Sequence, residues 1–400
     1  MERRALDLEH YPNVERKRAV ISETLKESGT PVFLCDAQIV RDRFHTLKIC
    51  MDNQWPKSAI GYSFKTNYWI AQCGLAKELG AWAEVVSGHE YQLACNLGFA
   101  EDQIIYNGPC KSDVTLRKAL LAGSLTNIND SDELDRVIAI SEAAGRQLSV
   151  GIRISAMFPS GEESRFGFSM ENDEASQAVR KIAACEGLKL TGIHTHLYGD
   201  TDEPEMYFEA ARRLAVFAKT NIADYLESLE YLDLGGGFPA HSPKPKSRDE
   251  WHPREVGHYI GQICDGLLPY FPNDARRPML IVEPGRYMTA DGIVFVSQVV
   301  HVKERAGRQM VNTNGSISMV PLTHYCPQVI HAYTPELREK TGREMSSIVY
   351  GGTCRENDIL YQGMFPEVVA GDLLIHFAAG AYNSSLSPAF IFPSPEMRLI

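Results

Sequence analysis

Short apolar runs alternate with amphipathic stretches from about residue 58 to about residue 286, and this alternation limits the possible folds more than any other feature of the chain. The strand candidates are residues 59–65, 82–87, 103–108, 125–129, 149–154, 190–197, 231–237 and 280–286. Helical patterns lie between them. In 131–144, Ser131 or Asp132 can cap while Leu134, Val137, Ile138 and Ile140 form an apolar face; 203–220 is another such stretch. Strands separated by helices pair in parallel, and eight such repeats suit a (β/α)8 barrel of about 250 residues. From Gly292 the pattern changes. Residues 294–303, 347–350, 372–377 and 389–392 are β-type runs without long helices between them, which predicts a second, β-rich domain, a small barrel or sandwich. Residues 31–35 read as a strand ahead of the barrel that can pair with that domain. The expected boundaries are 40–287 for the barrel and 1–39 plus 288–400 for the β-domain.

Composition narrows the partners. Lys plus Arg is 40 and Asp plus Glu is 51, a net charge of −11, which disfavours non-specific nucleic-acid binding. No apolar run reaches the ~18 residues of a membrane span, and the N-terminus lacks the apolar core of a secretion signal. The nine cysteines are scattered with no Cys-x-x-Cys pair, which suits reduced thiols in a cytoplasmic protein. A zinc site is not expected from them.

In a (β/α)8 barrel the chemistry sits at the C-terminal ends of the strands. Read in order, those ends carry Lys65, then His194 and His196, then Gly235, Gly236 and Gly237, then Glu283 and Arg286. A lysine in an apolar strand is costly unless it is neutralised or bonded, so Lys65 is either a snorkelling surface residue or a Schiff-base amine. Three glycines after a strand leave backbone N–H groups open to a phosphate, as tight turns also do. His194 and His196 share a face and admit two readings: a metal pair, or one ring stacked on a flat cofactor. The other strand ends offer Lys, Gly, Glu and Arg in place of further metal ligands. That set suits pyridoxal 5′-phosphate (PLP) and no metal: Lys65 for the imine, a carboxylate for the pyridine nitrogen, glycines and an arginine for the phosphate.

These motifs resemble the fold-type III PLP-dependent decarboxylases, the family of diaminopimelate, ornithine and arginine decarboxylases. The resemblance runs collinearly through Gly61–Asn67, Ala83–Gly88, Ile105–Ser112, Ser164–Gly167, Gly192–His196, Asp233–Gly237, Glu283–Arg286, Cys354–Asp358 and Gly380–Tyr382. It implies a barrel of the alanine-racemase type with a C-terminal β-barrel or sandwich domain. It also implies that Lys65 carries the cofactor, His196 stacks on its ring and Glu283 faces the pyridine nitrogen. Gly235, Gly236, Gly237, Arg286 and Tyr382 would hold the phosphate. Cys354 would act as proton donor from the second subunit of a homodimer with shared active sites. The family pattern further pairs Arg165 with Asp358 across that dimer.

Three positions depart from the pattern. Tyr198 stands near where a phosphate-binding hydroxyl is usual, Pro321 stands four residues before Tyr325 where an arginine is usual, and Arg355 follows Cys354 where an acid is usual. Arg355 would repel a distal ammonium and welcome a carboxylate. Arg355, Glu356 and Tyr325 are therefore the substrate-contacting candidates. The expectation is a decarboxylase of an amino acid or amino-acid-derived substrate with an anionic or polar distal group, acting in specialised biosynthesis. The alternatives are a PLP-dependent racemase, or a decarboxylase of a basic amino acid such as diaminopimelate, lysine or ornithine.

Overall fold

The computed structural model describes residues 10–157, 164–196, 199–223, 229–242, 244, 251–273, 276–326 and 328–400. The chain divides into two compact units. One comprises Phe44–Pro239 and Pro253–Gly285; the other comprises Met1–Arg43, Ala240–His252 and Arg286–Ile400. No helix among the described residues is long and apolar enough to cross a membrane.

Strands are numbered along the chain, β1 being Val32–Cys35. The first unit is a closed parallel barrel of β2 (Ser58–Ser63), β3 (Trp82–Val85), β4 (Ile104–Tyr106), β5 (Leu125–Ile128), β6 (Leu148–Ser155), β8 (Leu188–His194), β9 (Tyr231–Asp233) and β10 (Met279–Val282). The two-residue β7 (Phe168–Ser169) adds to the edge of β6. Pairing of β10 with β2 and of β5 with β6 closes the ring. The strands are nearly continuous apolar runs, as buried parallel strands must be. Helices between them bury one stripe each. In Glu174–Ala183 the stripe is Ala175, Ala178, Val179 and Ile182, the i, i+3, i+4, i+7 spacing. The helix Ser131–Ala144 is capped one residue earlier than expected, by the Asp130 carboxylate accepting from Glu133 N at 2.9 Å.

Most strands stop sooner than the apolar pattern suggests. β2 ends at Ser63, and Lys65 lies in the single 3-10 turn Phe64–Thr66 that follows, not inside the strand. β9 ends at Asp233, before the three glycines. The motif residues thus stand on the loops just past the strands.

The second unit is built on a mostly antiparallel sheet in the order β13 (Val329–Tyr333), β16 (Leu373–Phe377), β11 (Ile293–Arg305), β12 (Arg308–Thr313), β14 (Glu344–Tyr350), β15 (Ile359–Pro366). β1 pairs antiparallel with β11 and parallel with β17 (Glu396–Leu399). Residues 389–392 are not a strand. Pro388 and Pro393 flank them, each lacking a ladder N–H, and Phe390, Ile391 and Phe392 stay exposed.

His376 on β16 is fully buried, edge-on to Phe295, with Ser297 Oγ 3.4 Å from its Nε2. Burial alone pushes its pKa down to about 3. In the unfolded chain a histidine protonates near pH ~6.5, so acid favours unfolding from there down to the folded value. Stability should fall by up to about 1.4 kcal/mol per pH unit through this ring below pH ~6.5. Denaturant titrations between neutral pH and about pH 4.5 should show a shallower slope in His376→Gln than in the parent; equal slopes would show that this ring does not carry the linkage.

Candidate active site

The ends of the barrel strands converge on a buried cluster of charge. Glu84 on β3 is fully buried, and an isolated carboxylate there would be expensive. It is compensated from three sides. Lys65 Nζ donates to its Oε2 at 2.5 Å, Ser63 Oγ donates to the same oxygen at 2.6 Å, and Asn107 Nδ2 donates to Oε1 at 3.2 Å. Asn107 Nδ2 also donates to Glu283 Oε1 at 2.5 Å. The other Glu283 oxygen lies 3.5 Å from His194 Nε2.

Glu283 and Asp233 are both buried and close enough to couple. Burial and the neighbouring Glu283 charge raise the Asp233 pKa well above the carboxylate range. Burial also opposes ionisation of Glu283. The His194 ring, Lys65 and Asp233 outweigh it and hold Glu283 well below that range. Of the two, Glu283 carries the charge. His196 follows β8, and its Nδ1 accepts from Gly236 N at 2.9 Å. Burial, then Arg153 and Lys65, push its pKa down to about 3, so the ring is neutral at ordinary pH. The glycines allow this close approach. A Cβ at Gly235 would sit 2.4 Å from His196 Nδ1, and one at Gly236 would sit 2.2 Å from the Glu283 carbonyl oxygen.

The barrel unit therefore brings Lys65, His196, Gly235, Gly236, Gly237 and Glu283 to one end of the strands. It also recruits Glu84, Asn107, Arg153 and Asp233, which strand-end reading did not single out. Their signal was present: each is a polar residue in, or just after, an apolar strand, where a polar side chain needs a partner.

The second unit holds the remaining candidates. Arg286 opens the short helix Arg286–Thr289, and its guanidinium carbon lies 5.0 Å from the centre of the Tyr382 ring. Gly380 allows that approach, since a Cβ there would come within 1.8 Å of Thr289 O. Cys354 is exposed, Arg355 half-buried and Glu356 exposed. Arg355 Nε donates to Asn357 Oδ1 at 3.2 Å. Tyr325 is exposed and follows the 3-10 turn Pro321–His324. Tyr198 lies outside the described residues.

Asp358, expected to pair with Arg165 across a dimer, has its partners within its own chain. The residue is 1% exposed. It accepts from Ile317 N at 2.8 Å, Thr353 N at 3.0 Å, Thr353 Oγ1 at 2.5 Å and Ser316 Oγ at 3.3 Å. A carboxylate so enclosed is a staple for the loop that carries Cys354. Arg165 lies 4.5 Å over the Phe166 ring of its own chain.

One ligand atom each from His194, His196 and Glu283 lies within 4.8 Å of the others, a set that could hold a metal ion. Lys65 and Arg153 place positive charge beside it, which disfavours a divalent cation. The same surroundings fit an anionic aromatic cofactor: a primary amine, a carboxylate kept ionised, a flat neutral ring and a glycine run with its backbone drawn in close.

Residues 38–290, well over half of the chain, match the pyridoxal binding domain of the pyridoxal-dependent decarboxylases. The chain belongs to this family. It is a PLP-dependent amino-acid decarboxylase, a carboxy-lyase. It is 26% identical over 382 residues to the diaminopimelate decarboxylase of Methanothermobacter thermautotrophicus, covering 92% of this chain and 86% of that one. The fold matches the crystal structure of diaminopimelate decarboxylase from M. jannaschii in complex with L-lysine (TM-score 0.84, 21% identity, 95% of this chain and 89% of that one). It also matches the lysine/ornithine decarboxylase of Vibrio vulnificus complexed with putrescine (TM-score 0.79, 21% identity, 96% and 98%). These relatives favour the basic amino-acid alternative over the anionic substrate that Arg355 suggested by itself.

Asp358→Ala should lower the free energy of unfolding by about 3 kcal/mol, because buried donors lose a charged acceptor. A urea midpoint equal to that of the parent enzyme would show that the carboxylate does not hold the Cys354 loop.

Proposed function

We propose that this decarboxylase removes the α-carboxylate of a diamino acid, with diaminopimelate ahead of lysine and ornithine. The observation that carries the reading is the adjacent pair Arg355–Glu356 directly after Cys354. A distal ammonium alone would be repelled by Arg355 and drawn to Glu356. The distal end of diaminopimelate carries both an ammonium and a carboxylate, so it can use both side chains. The names of the curated relatives support the same class. Tyr325 is the third substrate contact.

The cofactor supplies an electron sink for the pair left behind when carbon dioxide departs. Lys65 would hold the cofactor through its amine. The neutral His196 ring would lie against the cofactor ring, and Glu283 would keep its ring nitrogen protonated. Gly235, Gly236, Gly237, Arg286 and Tyr382 would bind the phosphate. Cys354 would return a proton to the α-carbon, with its thiol as the general acid. In this reading Cys354 comes from the neighbouring subunit of a homodimer. A second reading, a substrate with an anionic distal end, is favoured by the Arg355 guanidinium alone.

Carbon dioxide release from diaminopimelate, lysine, ornithine and glutamate, measured under one set of conditions, separates the two. Diaminopimelate should be turned over best, and Arg355→Ala should lower its kcat/KM roughly ten- to a hundredfold while affecting lysine less. Release from glutamate but from none of the diamino acids would replace the first reading with the second. Lys65→Ala and Cys354→Ala should each be inactive alone and recover activity when mixed. Failure to recover despite demonstrated subunit exchange would show that the site is not shared.

A further inference from the structure

Tyr231 opens β9 with its ring inside the barrel, and two glycines on neighbouring strands make room for it. A Cβ at Gly192 would lie 1.9 Å from Tyr231 Cζ; one at Gly151 would lie 2.1 Å from Tyr231 Oη and 2.2 Å from Asn127 Oδ1. From that hydroxyl a chain of hydrogen bonds crosses the barrel core. Tyr231 Oη donates to Asn127 Oδ1 at 2.8 Å, and Asn127 Nδ2 donates to Asn107 Oδ1 at 2.8 Å. Asn107 Nδ2 then donates to Glu283 and Glu84. Tyr231, Asn127, Asn107 and Glu283 are each at most 3% exposed. Lys111 Nζ braces the backbone beside both amides, donating to Asn127 O at 3.0 Å and Gly108 O at 2.9 Å.

The chain has a direction. An ionised carboxylate only accepts, so Asn107 must turn its NH2 toward Glu283 and Glu84. Its carbonyl then faces Asn127, which must present its own NH2, and the Asn127 carbonyl faces Tyr231, which must donate. Burial raises the Tyr231 pKa well above its ordinary value, so the hydroxyl keeps its proton. Reversing the order would turn the Asn107 carbonyl toward Glu283, and only a protonated carboxyl could satisfy it. The direction of the amides and the charge on Glu283 are thus two expressions of one state.

We propose that Tyr231, Asn127 and Asn107 are positioning residues that form a one-way relay, fixing Glu283 as an ionised carboxylate in the orientation the cofactor requires. The part of this that concerns the cofactor rests on Glu283 facing the ring nitrogen; the part that concerns the charge on Glu283 does not.

The test uses Tyr231→Phe, which removes one oxygen and keeps the ring, and Asn127→Asp, which puts an acceptor where the relay needs a donor. Two quantities are read. In cofactor-free protein, the infrared carbonyl band of protonated Glu283, assigned by its loss in Glu283→Gln, should appear at higher pH in both variants than in the parent. In loaded enzyme, kcat should fall roughly ten- to a hundredfold with KM within about twofold, and more for Asn127→Asp. The visible absorption of the bound cofactor should become pH-dependent over the same range as the infrared band. If Asn127→Asp does not fold, Tyr231→Phe carries the test alone. An unchanged Glu283 titration with unchanged kcat in Tyr231→Phe would overturn the relay. A shifted titration, combined with a Glu283→Gln enzyme of parental spectrum and turnover, would uphold the relay and remove Glu283 as the ring's partner.

Discussion

Everything at the barrel mouth follows from burying the Glu84 and Glu283 carboxylates, with Asp233 beside them, where solvent cannot stabilise their charge. An isolated ion in such a place would neutralise or force the strands apart. Here Lys65 answers Glu84, one amide bridges Glu84 and Glu283, and Asp233 stays neutral so that Glu283 need not. Because the hydrogen bonds are short and shared, β2, β3, β4 and β10 must end at matching heights. The register of the barrel and the geometry of the site are therefore one constraint.

Neutrality at His196 is part of the same arrangement. A protonated ring would add a third cation beside Lys65 and Arg153, and burial removes the water that could screen it. The ring is consequently an acceptor at Nδ1, which is how it meets Gly236 N. Only glycine at 235 and 236 lets the backbone come that near. The glycine run thus shapes the ring's surroundings as well as leaving backbone amides open, and both properties suit a planar, phosphorylated cofactor.

The sequence made the barrel legible because its buried parallel strands are rich in apolar residues and its helices are amphipathic, two patterns that need no long-range information. Lys65, His196, the glycines and Glu283 were legible because their residue types are unusual at strand ends. Glu84, Asn107 and Asn127 were harder to see. Each lies in, or just after, a short strand where a polar residue reads as noise until its partner, more than fifteen positions away, is placed beside it. The surroundings of Asp358 were hidden for a related reason: an acid following Cys-Arg-Glu-Asn carries no local sign of the donors from Ser316, Ile317 and Thr353 that the fold brings to it. In the β-rich unit, residues 389–392 had the composition of a strand, but the flanking prolines outweighed it.

The enclosure of Asp358 also bears on how one loop can serve the two roles proposed for it, a proton donor at Cys354 and a substrate contact at Arg355 and Glu356. A loop free to move would present Cys354 at variable distance, and proton delivery falls off sharply with misplacement. The carboxylate ties residues 351–358 back onto the 316–317 turn, while Cys354 and Glu356 stay exposed. The ordering is thus done by a buried residue whose carboxylate is occupied by donors from the loop and the turn. Half-buried Arg355 and exposed Glu356 take no part in holding Asp358, so both positions can change without disturbing Cys354, and a departure such as Arg355 can persist beside motifs that keep the family pattern.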